Sequence, residues 1–345
     1  MPPDSNRVLV PDISHLRFPK ESERNHPIRF LFGKTMGTTW RCNVAVPSTT
    51  PLKDVEELIN DGLKIVIDQM SHWDSNSCLS KFNRSPDGTW HDLPAEFFFV
   101  LESSLSLADK SGGIYDPTIG EVINQLGFGP EKPSVFSYKP ADLALIRDKC
   151  GWEKILLEPN RNRALQPGGV HLDLSSIAKG FAVDLVAGRL QSKGISNFLF
   201  EIGGEFRGEG CKPDGSPWWV EVERSNESNQ SLMDGRKSRN NSVRIAACGL
   251  SIATSGHKHH NQRLPTGETI CHLVNATNCR ASPNELTSVT VIDRSCMLAD
   301  GWATALFVAG LESGLQLATR FQLAAIFLTH ENQHVESPMI AKLFD

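Results

Sequence analysis

The stretch "GGVHLDLSSIAKGFAVDLVAGRLQSKGISNFLFEI", residues 168–202, changes its periodicity twice. "GGVHLDL" alternates apolar and polar positions and reads as a strand. "SSIAKGFAVDLVAGRLQSKG" follows as a helix that Gly194 stops, and "NFLFEI" returns to strand. Upstream, "IRFLFG" and "TWRCNVAV" read as strands flanking the "KTMGT" turn. "TTPLKDVEELINDGLKIVIDQMSHW" reads as a helix with Thr50 as N-cap and Pro51 at its first position. Its apolar stripe is Val55, Leu58, Ile59, Val66 and Met70. "PAEFFFVLESSLSLADKSG" is a further helix ending at Gly112. Downstream, "PWWVEVE" is a strand, and "VRIAAC" with "LSIAT" is expected to form a hairpin across Gly249. "TSVTVID" is a strand, "MLADGWATALFVAGLESGLQLATRF" one helical run, and "AAIFLTH" a last strand. Strands and helices alternate irregularly, with hairpins among them. That pattern predicts an α+β fold rather than a doubly wound parallel sheet.

Residues 1–27 are Pro-rich and polar and read as an irregular N-terminal arm; 28–345 read as one large domain. Within it, 225–242 are polar and aperiodic, an exposed insertion. The chain has 345 residues, 39% hydrophobic and 22% charged, enough for a sizeable core. A net charge of −5 and the lack of a long basic run argue against nucleic acid as a partner. The eight cysteines contain no CxxC pair, which argues against a zinc ribbon or a thioredoxin-type site. They read as small core residues. With no signal peptide, lipidation cysteine or membrane span in view, a cytoplasmic location is expected.

Several segments carry candidate chemistry. In "LADGWATAL", Asp300 and Thr304 are four residues apart, so a helix puts both hard oxygens on one face, as Mg²⁺ prefers. Alone, the pair also reads as an ordinary exposed Asp and a packed Thr. "HLDLSSIAKG" sets Asp173, Ser175, Ser176 and Lys179 around a helix N-terminus that favours phosphate; a simple serine cap fits equally. "KTMGTTW", "EIGGEFRG" and "SGGIYDPTIG" read alone as turns, and GxGxxG spacing is absent from "GGEFRG". "HENQH", residues 330–334, matches HExxH but follows a strand-like run, so a polar turn is expected instead of a zincin helix. His257, His259 and His260 can be assembled with Cys271, His272 and Cys279 into a zinc site, or can decorate a surface loop.

The order of the motifs carries more than any one of them. "MGTTW", "MSHWDSNSCLSKFN", "SGGIYDPTIG", "LDLSSIAKGFAVD", "FEIGGEFRGEG", "IATSG", "HLV" and "LADGWATALFV" follow one another over roughly residues 33–310. Together they resemble the ApbE family, the FAD:protein FMN transferases. The resemblance implies an ApbE-like (T-fold-like) α+β domain with mixed or antiparallel sheets and flanking helices. It implies Mg²⁺-dependent transfer of FMN from FAD to a Thr or Ser hydroxyl of an acceptor flavoprotein, with release of AMP. By the same resemblance, Met36 and Trp73 are flavin contacts, Trp73 by stacking. Ile114, Tyr115 and Asp116 line FAD, and Asp173 and Lys179 touch it. Ser176, Asp300 and Thr304 supply the metal's oxygens, and His272 deprotonates the acceptor hydroxyl. The chain departs from the family after "TSG", where it reads His257-Lys258-His259-His260, and after "HLV", where it reads Asn275-Ala276-Thr277-Asn278-Cys279. Both departures fall on the acceptor side. They motivate an alternative expectation: a relative that hydrolyses FAD to FMN and AMP, or only binds flavin.

Overall fold

Eight strands form one sheet whose spatial order is their order along the chain. They are β1 (Ile28–Thr35), β2 (Thr38–Ala45), β3 (Phe198–Ile202), β4 (Glu205–Glu209), β5 (Leu250–Gly256), β6 (Leu286–Asp293), β7 (Ala324–Thr329) and β8 (His334–Glu336). Every neighbouring pair is antiparallel. The computed structural model describes residues 7–12, 18–131, 146–222, 243–257, 261–263, 269–281 and 285–344. The expected insertion at 225–242 lies outside these residues, as do Lys258, His259 and His260.

The helices are inserted between strands. They are α1 (Leu52–Met70), α2 (Cys78–Asn83), α3 (Ala95–Lys110), α4 (Gly120–Gln125), α5 (Ala178–Ser192), α6 (Cys296–Ala309), α7 (Leu311–Arg320) and α8 (Pro338–Phe344). The period-two alternation of the strands shows how the layers form. Val289 and Val291 of β6 and Ala325 and Phe327 of β7 face the core beneath α6. Ile292, Ala324 and Ile326 face the opposite side. There a three-stranded sheet (Arg7–Leu9, Val243–Ala246, Trp219–Val222) and α8 bury them. With both faces covered, "AAIFL" is apolar throughout, and the strand is wholly buried to Thr329. At the other end, Trp40, Cys42 and Val44 of β2 join Phe198, Phe200 and Ile202 of β3 against α1, α3 and α5. The α+β class and the antiparallel sheet agree with the reading of the sequence.

Five local expectations are corrected. The "GGVHLDL" segment is not a strand: β-pairing there is limited to one bridge, His171 to Ile119. Its backbone is satisfied otherwise. The Asn83 amide clamps Leu172 by donating to its carbonyl (2.9 Å) and accepting from its N–H (2.8 Å). The Asp173 N–H donates to the Pro117 carbonyl at 2.7 Å. Second, Val243–Ala246 and β5 do not form a hairpin. The first pairs with Arg7–Leu9 and Trp219–Val222, the second with β4 and β6, because the chain changes sheets at Gly249. Third, the long C-terminal helical run breaks at Gly310, whose φ of 79° only glycine adopts without strain, giving α6 and α7. Fourth, α1 begins at Leu52 with Pro51 in the cap position. Fifth, the N-terminal arm contains a strand, Arg7–Leu9, and is not irregular throughout. No described helix is long and apolar enough to cross a membrane.

Candidate active site

The site is organised where α5 crosses α6. Gly180, in the first turn of α5, makes the crossing possible. A Cβ there would stand 2.3 Å from the Cys296 carbonyl oxygen and 2.8 Å from the Asp300 Cβ. At that closeness the Gly180 N–H donates to Asp300 Oδ2 at 2.9 Å. A free helix N-terminal donor thus meets a carboxylate from a second helix. Asp184, one turn further along α5, fixes the start of α6. It accepts hydrogen bonds from the N–H groups of Cys296 (2.9 Å) and Met297 (3.0 Å), from the Ser295 hydroxyl (2.8 Å) and from Arg207 (2.9 Å). Ser295 is itself the N-cap of α6.

Around Asp300 lies a buried charge cluster. The Lys179 ammonium is 2.8 Å from Glu205 Oε1 and 3.7 Å from Asp300 Oδ1, the second distance too long for a hydrogen bond. Asp300 is 3% exposed and Glu205 2%. Burial pushes both carboxyls upward, Glu205 to about 8, and the Asp300 charge adds to the rise of Glu205, against the pull of Lys179 on each. Burial alone would lower Lys179, but Asp300 and Glu205 outweigh it and hold the ammonium above its usual range. One ammonium therefore serves two buried carboxyls. Four residues beyond Asp300 on α6, the Thr304 hydroxyl pairs with the Ser255 hydroxyl of β5 at 3.0 Å and keeps lone-pair capacity.

Tyr115 links this cluster to a second one. Its hydroxyl is buried beside Ser104 and Ser176, yet makes no hydrogen bond among the described residues. Burial raises its pKa, and the Asp300 and Asp173 charges add to that rise. Asp173 accepts from the Ser175 N–H (2.8 Å) and hydroxyl and pairs with His72 Nδ1 at 3.3 Å. Burial alone would raise Asp173. The His72 charge and these hydrogen bonds outweigh it and depress the carboxyl to about 2. His72 is raised in turn, Asp173 overcoming burial. The His72 ring lies 5.4 Å from Trp73, which is 65% exposed. Trp73, His72 and Asp173 line one cleft of about 190 Å³ with Asn124 and His171. This volume holds one ring system rather than a whole dinucleotide, below the ~300–1,000 Å³ usual for ligand sites. A larger groove of about 600 Å³ beside α1 contains none of the sequence-predicted residues. Its carboxylates Asp54, Glu57 and Asp61 would repel a pyrophosphate.

The fold therefore brings Lys179 to Asp300, sets Tyr115 and Ser176 beside them, and places Asp173 with Trp73. Other predicted residues are occupied differently. Asp116 is buried and turned inward: it accepts from the Thr118 N–H (2.8 Å) and hydroxyl (2.7 Å) and from the Trp152 N–H (3.1 Å). It holds the 116–118 turn to the 151–152 turn. Met36, at φ 47°, forms the β1–β2 hairpin tip and packs against the helix-side core. Ile114 packs beside α6, and its carbonyl accepts from the Ala276 N–H at 3.2 Å. His272 is half-buried, its ring edge-on to Phe128 at 6.3 Å.

Among the described residues of the acceptor-side departures, His257 and Asn275 are held by local contacts. Asn275 accepts from the Thr277 N–H (3.0 Å) and hydroxyl (2.7 Å) while its amide donates to the Val308 carbonyl at 3.3 Å. A carboxylate could not make that last bond. His257 stacks on His330 at 5.7 Å and meets Phe307 edge-on at 4.8 Å. The Cys271 thiol donates to the Leu273 carbonyl and the Cys279 thiol to the Ala276 carbonyl. Among the described residues these side chains form no metal-ligating group, which removes that part of the zinc reading. "HENQH" is the β7–β8 hairpin, as expected of a turn. Glu205, His72, Asp184 and Ser255 were missed as site residues. Glu205 sits in "EIGGEFRG", which spacing alone marks as a turn, and its partner Lys179 is 26 positions upstream by subtraction.

The ApbE family model matches residues 36–327. The chain is 35% identical over 313 residues to the FAD:protein FMN transferase of Vibrio cholerae, covering 90% of this chain and 88% of that one. Its fold superposes on the flavin transferase ApbE from Vibrio cholerae with a TM-score of 0.80 at 32% identity, covering 92% of this chain and 100% of that one. For the apo flavinyl transferase ApbE of Pseudomonas stutzeri the TM-score is 0.82 at 29% identity, covering 92% and 97%. With motifs, sheet and helix crossing in agreement, the chain belongs to the ApbE family.

Proposed function

We propose that this protein transfers FMN from FAD to a Thr or Ser hydroxyl of an acceptor flavoprotein, with AMP as leaving group. The observation that carries the reading is the α5–α6 crossing, where Gly180, Lys179, Glu205 and Asp300 form one polar cluster. Mg²⁺ fits it. Asp300 and Thr304 are hard oxygen donors one helical turn apart, and Asp300 keeps Oδ1 beyond hydrogen-bonding distance of Lys179. Asp300, Thr304 and Ser176 would hold the ion. When bound, it neutralises charge on the pyrophosphate oxygens. Lys179, in the first turn of α5, adds positive charge on the same side. Asp173 and Trp73 would orient the nucleotide, Trp73 through its exposed face. His272 would take the acceptor's proton through its imidazole.

The test is incubation with FAD, Mg²⁺ and a protein bearing an acceptor Thr. A fluorescent, covalently flavinylated band that disappears with EDTA is expected. AMP release with no labelled acceptor across several acceptors would overturn transfer.

A further inference from the structure

Lys179 stands between two buried carboxylates but does not share itself equally. It is 2.8 Å from Glu205 and 3.7 Å from Asp300. Glu205 is the first residue of β4, directly after the β3–β4 turn, where Ile202 and Glu205 face each other across the hairpin. A strand end in the middle of a sheet is a rigid mount, so Glu205 cannot follow Lys179. Lys179 is on a flexible four-carbon stem and follows Glu205. Glu205 Oε2 has no hydrogen-bond partner among the described residues. A buried carboxylate left half satisfied is destabilising. Its remaining bond is to the one side chain that would otherwise close on Asp300.

We propose that Glu205 is a positioning residue that holds the Lys179 ammonium off Asp300, keeping Oδ1 open to a divalent cation. This rests on the assignment of Asp300 as a metal ligand. Asp300 Oδ2 is already engaged by the Gly180 N–H, which leaves Oδ1 as the oxygen at stake. The other carboxylate of β4, Glu209, is taken by Arg207 at 2.6 Å and does not stand in for Glu205. Without Glu205, the ammonium moves from its present 3.7 Å to hydrogen-bonding distance of Asp300 Oδ1 and competes more strongly with the cation for that oxygen.

Direct Mn²⁺ binding to the full chain, followed by electron paramagnetic resonance without FAD or acceptor, tests this apart from turnover. Glu205→Ala is expected to weaken Mn²⁺ binding by about tenfold, the size of a typical coupling between neighbouring sites. Adding Lys179→Met to Glu205→Ala is expected to restore it, because the competitor is gone. A purely structural role for Glu205 would not be rescued in this way. Glu205→Met keeps most of the side-chain length without an oxygen acceptor and serves if the alanine variant does not fold; it should weaken binding in the same direction. Wild-type affinity in both Glu205 variants, or a double variant as weak as Glu205→Ala, would overturn the proposal. Asp300→Ala separates the two ideas. If it binds Mn²⁺ like the wild type, the metal assignment falls and the proposal with it. If it loses binding while the Glu205 variants keep theirs, only the role of Glu205 falls.

Discussion

Asp300 is 3% exposed, and its carboxylate is approached by a backbone N–H and an ammonium carried on a different helix. Trp73 is 65% exposed, and the ring contact that positions it is with its own neighbour, His72. The first environment is set by a helix crossing that tolerates no Cβ at Gly180; the second by a short polar segment after α1. A buried, cross-linked carboxylate is preorganised before any ligand arrives. An exposed indole gains its partner only on binding. Groups of the first kind should govern the rate of the chemical step, and groups of the second kind the affinity for FAD.

The sharpest way to break this contrast is Asp300→Ala. It should lower metal-dependent kcat on the order of 10²-fold or more, while FAD still quenches or shifts Trp fluorescence on binding. Unchanged kcat would remove Asp300 from the chemistry. A smaller effect is expected at the Asp173–His72 pair, measured as thermal stability against pH. Asp173 is depressed from 3.8 to about 2, so its contribution is present above 3.8 and fades as pH falls through the folded value. His72 is raised above 6.5, so its contribution is full below 6.5 and fades as pH rises through the raised value. The wild type should therefore exceed His72→Gln by about 1–2 kcal/mol between roughly pH 4 and 6.5. The gap should shrink by about pH 9. A gap that does not change with pH would show that the pair does not carry the linkage. The smallest effect belongs to Trp73→Ala. Loss of one stacking face, about 0.5–1.5 kcal/mol, should raise KM for FAD roughly 2- to 10-fold with little change in kcat. A fall in kcat without a change in KM would place Trp73 with the preorganised groups.

The sequence and the structure diverge in an orderly way. β1, β2, β6 and α1 were legible from their periodicity, and β7, α3 and α5 from apolar runs of the right length bounded by turn residues. "GGVHLDL" has the period of a strand yet runs as extended backbone clamped by Asn83, a residue 89 positions away. "VRIAAC" and "LSIAT" are strands as read, but pair with other partners, because alternation identifies a face and not a neighbour. At the site, the Asp300–Thr304 spacing and the helix-starting Lys179 were visible as local patterns. Glu205 was not, since it becomes a site residue only through the β3–β4 hairpin. Nor was the inward turn of Asp116, which looks in sequence like any residue before a proline.

By itself, the sequence determined the α+β class, most of the elements, the ordered motifs of the family and the helical face that carries Asp300 and Thr304. All of these depend on periodicity or on short spacing, which a chain carries in one dimension. Only the tertiary structure decided that the eight strands follow one another in space and that α5 crosses α6 at Gly180. It also decided that Lys179 is held by Glu205 at 2.8 Å rather than by Asp300. Those outcomes depend on which distant segments share a buried volume, where a single Cβ or one unpaired carboxylate is enough to change the arrangement.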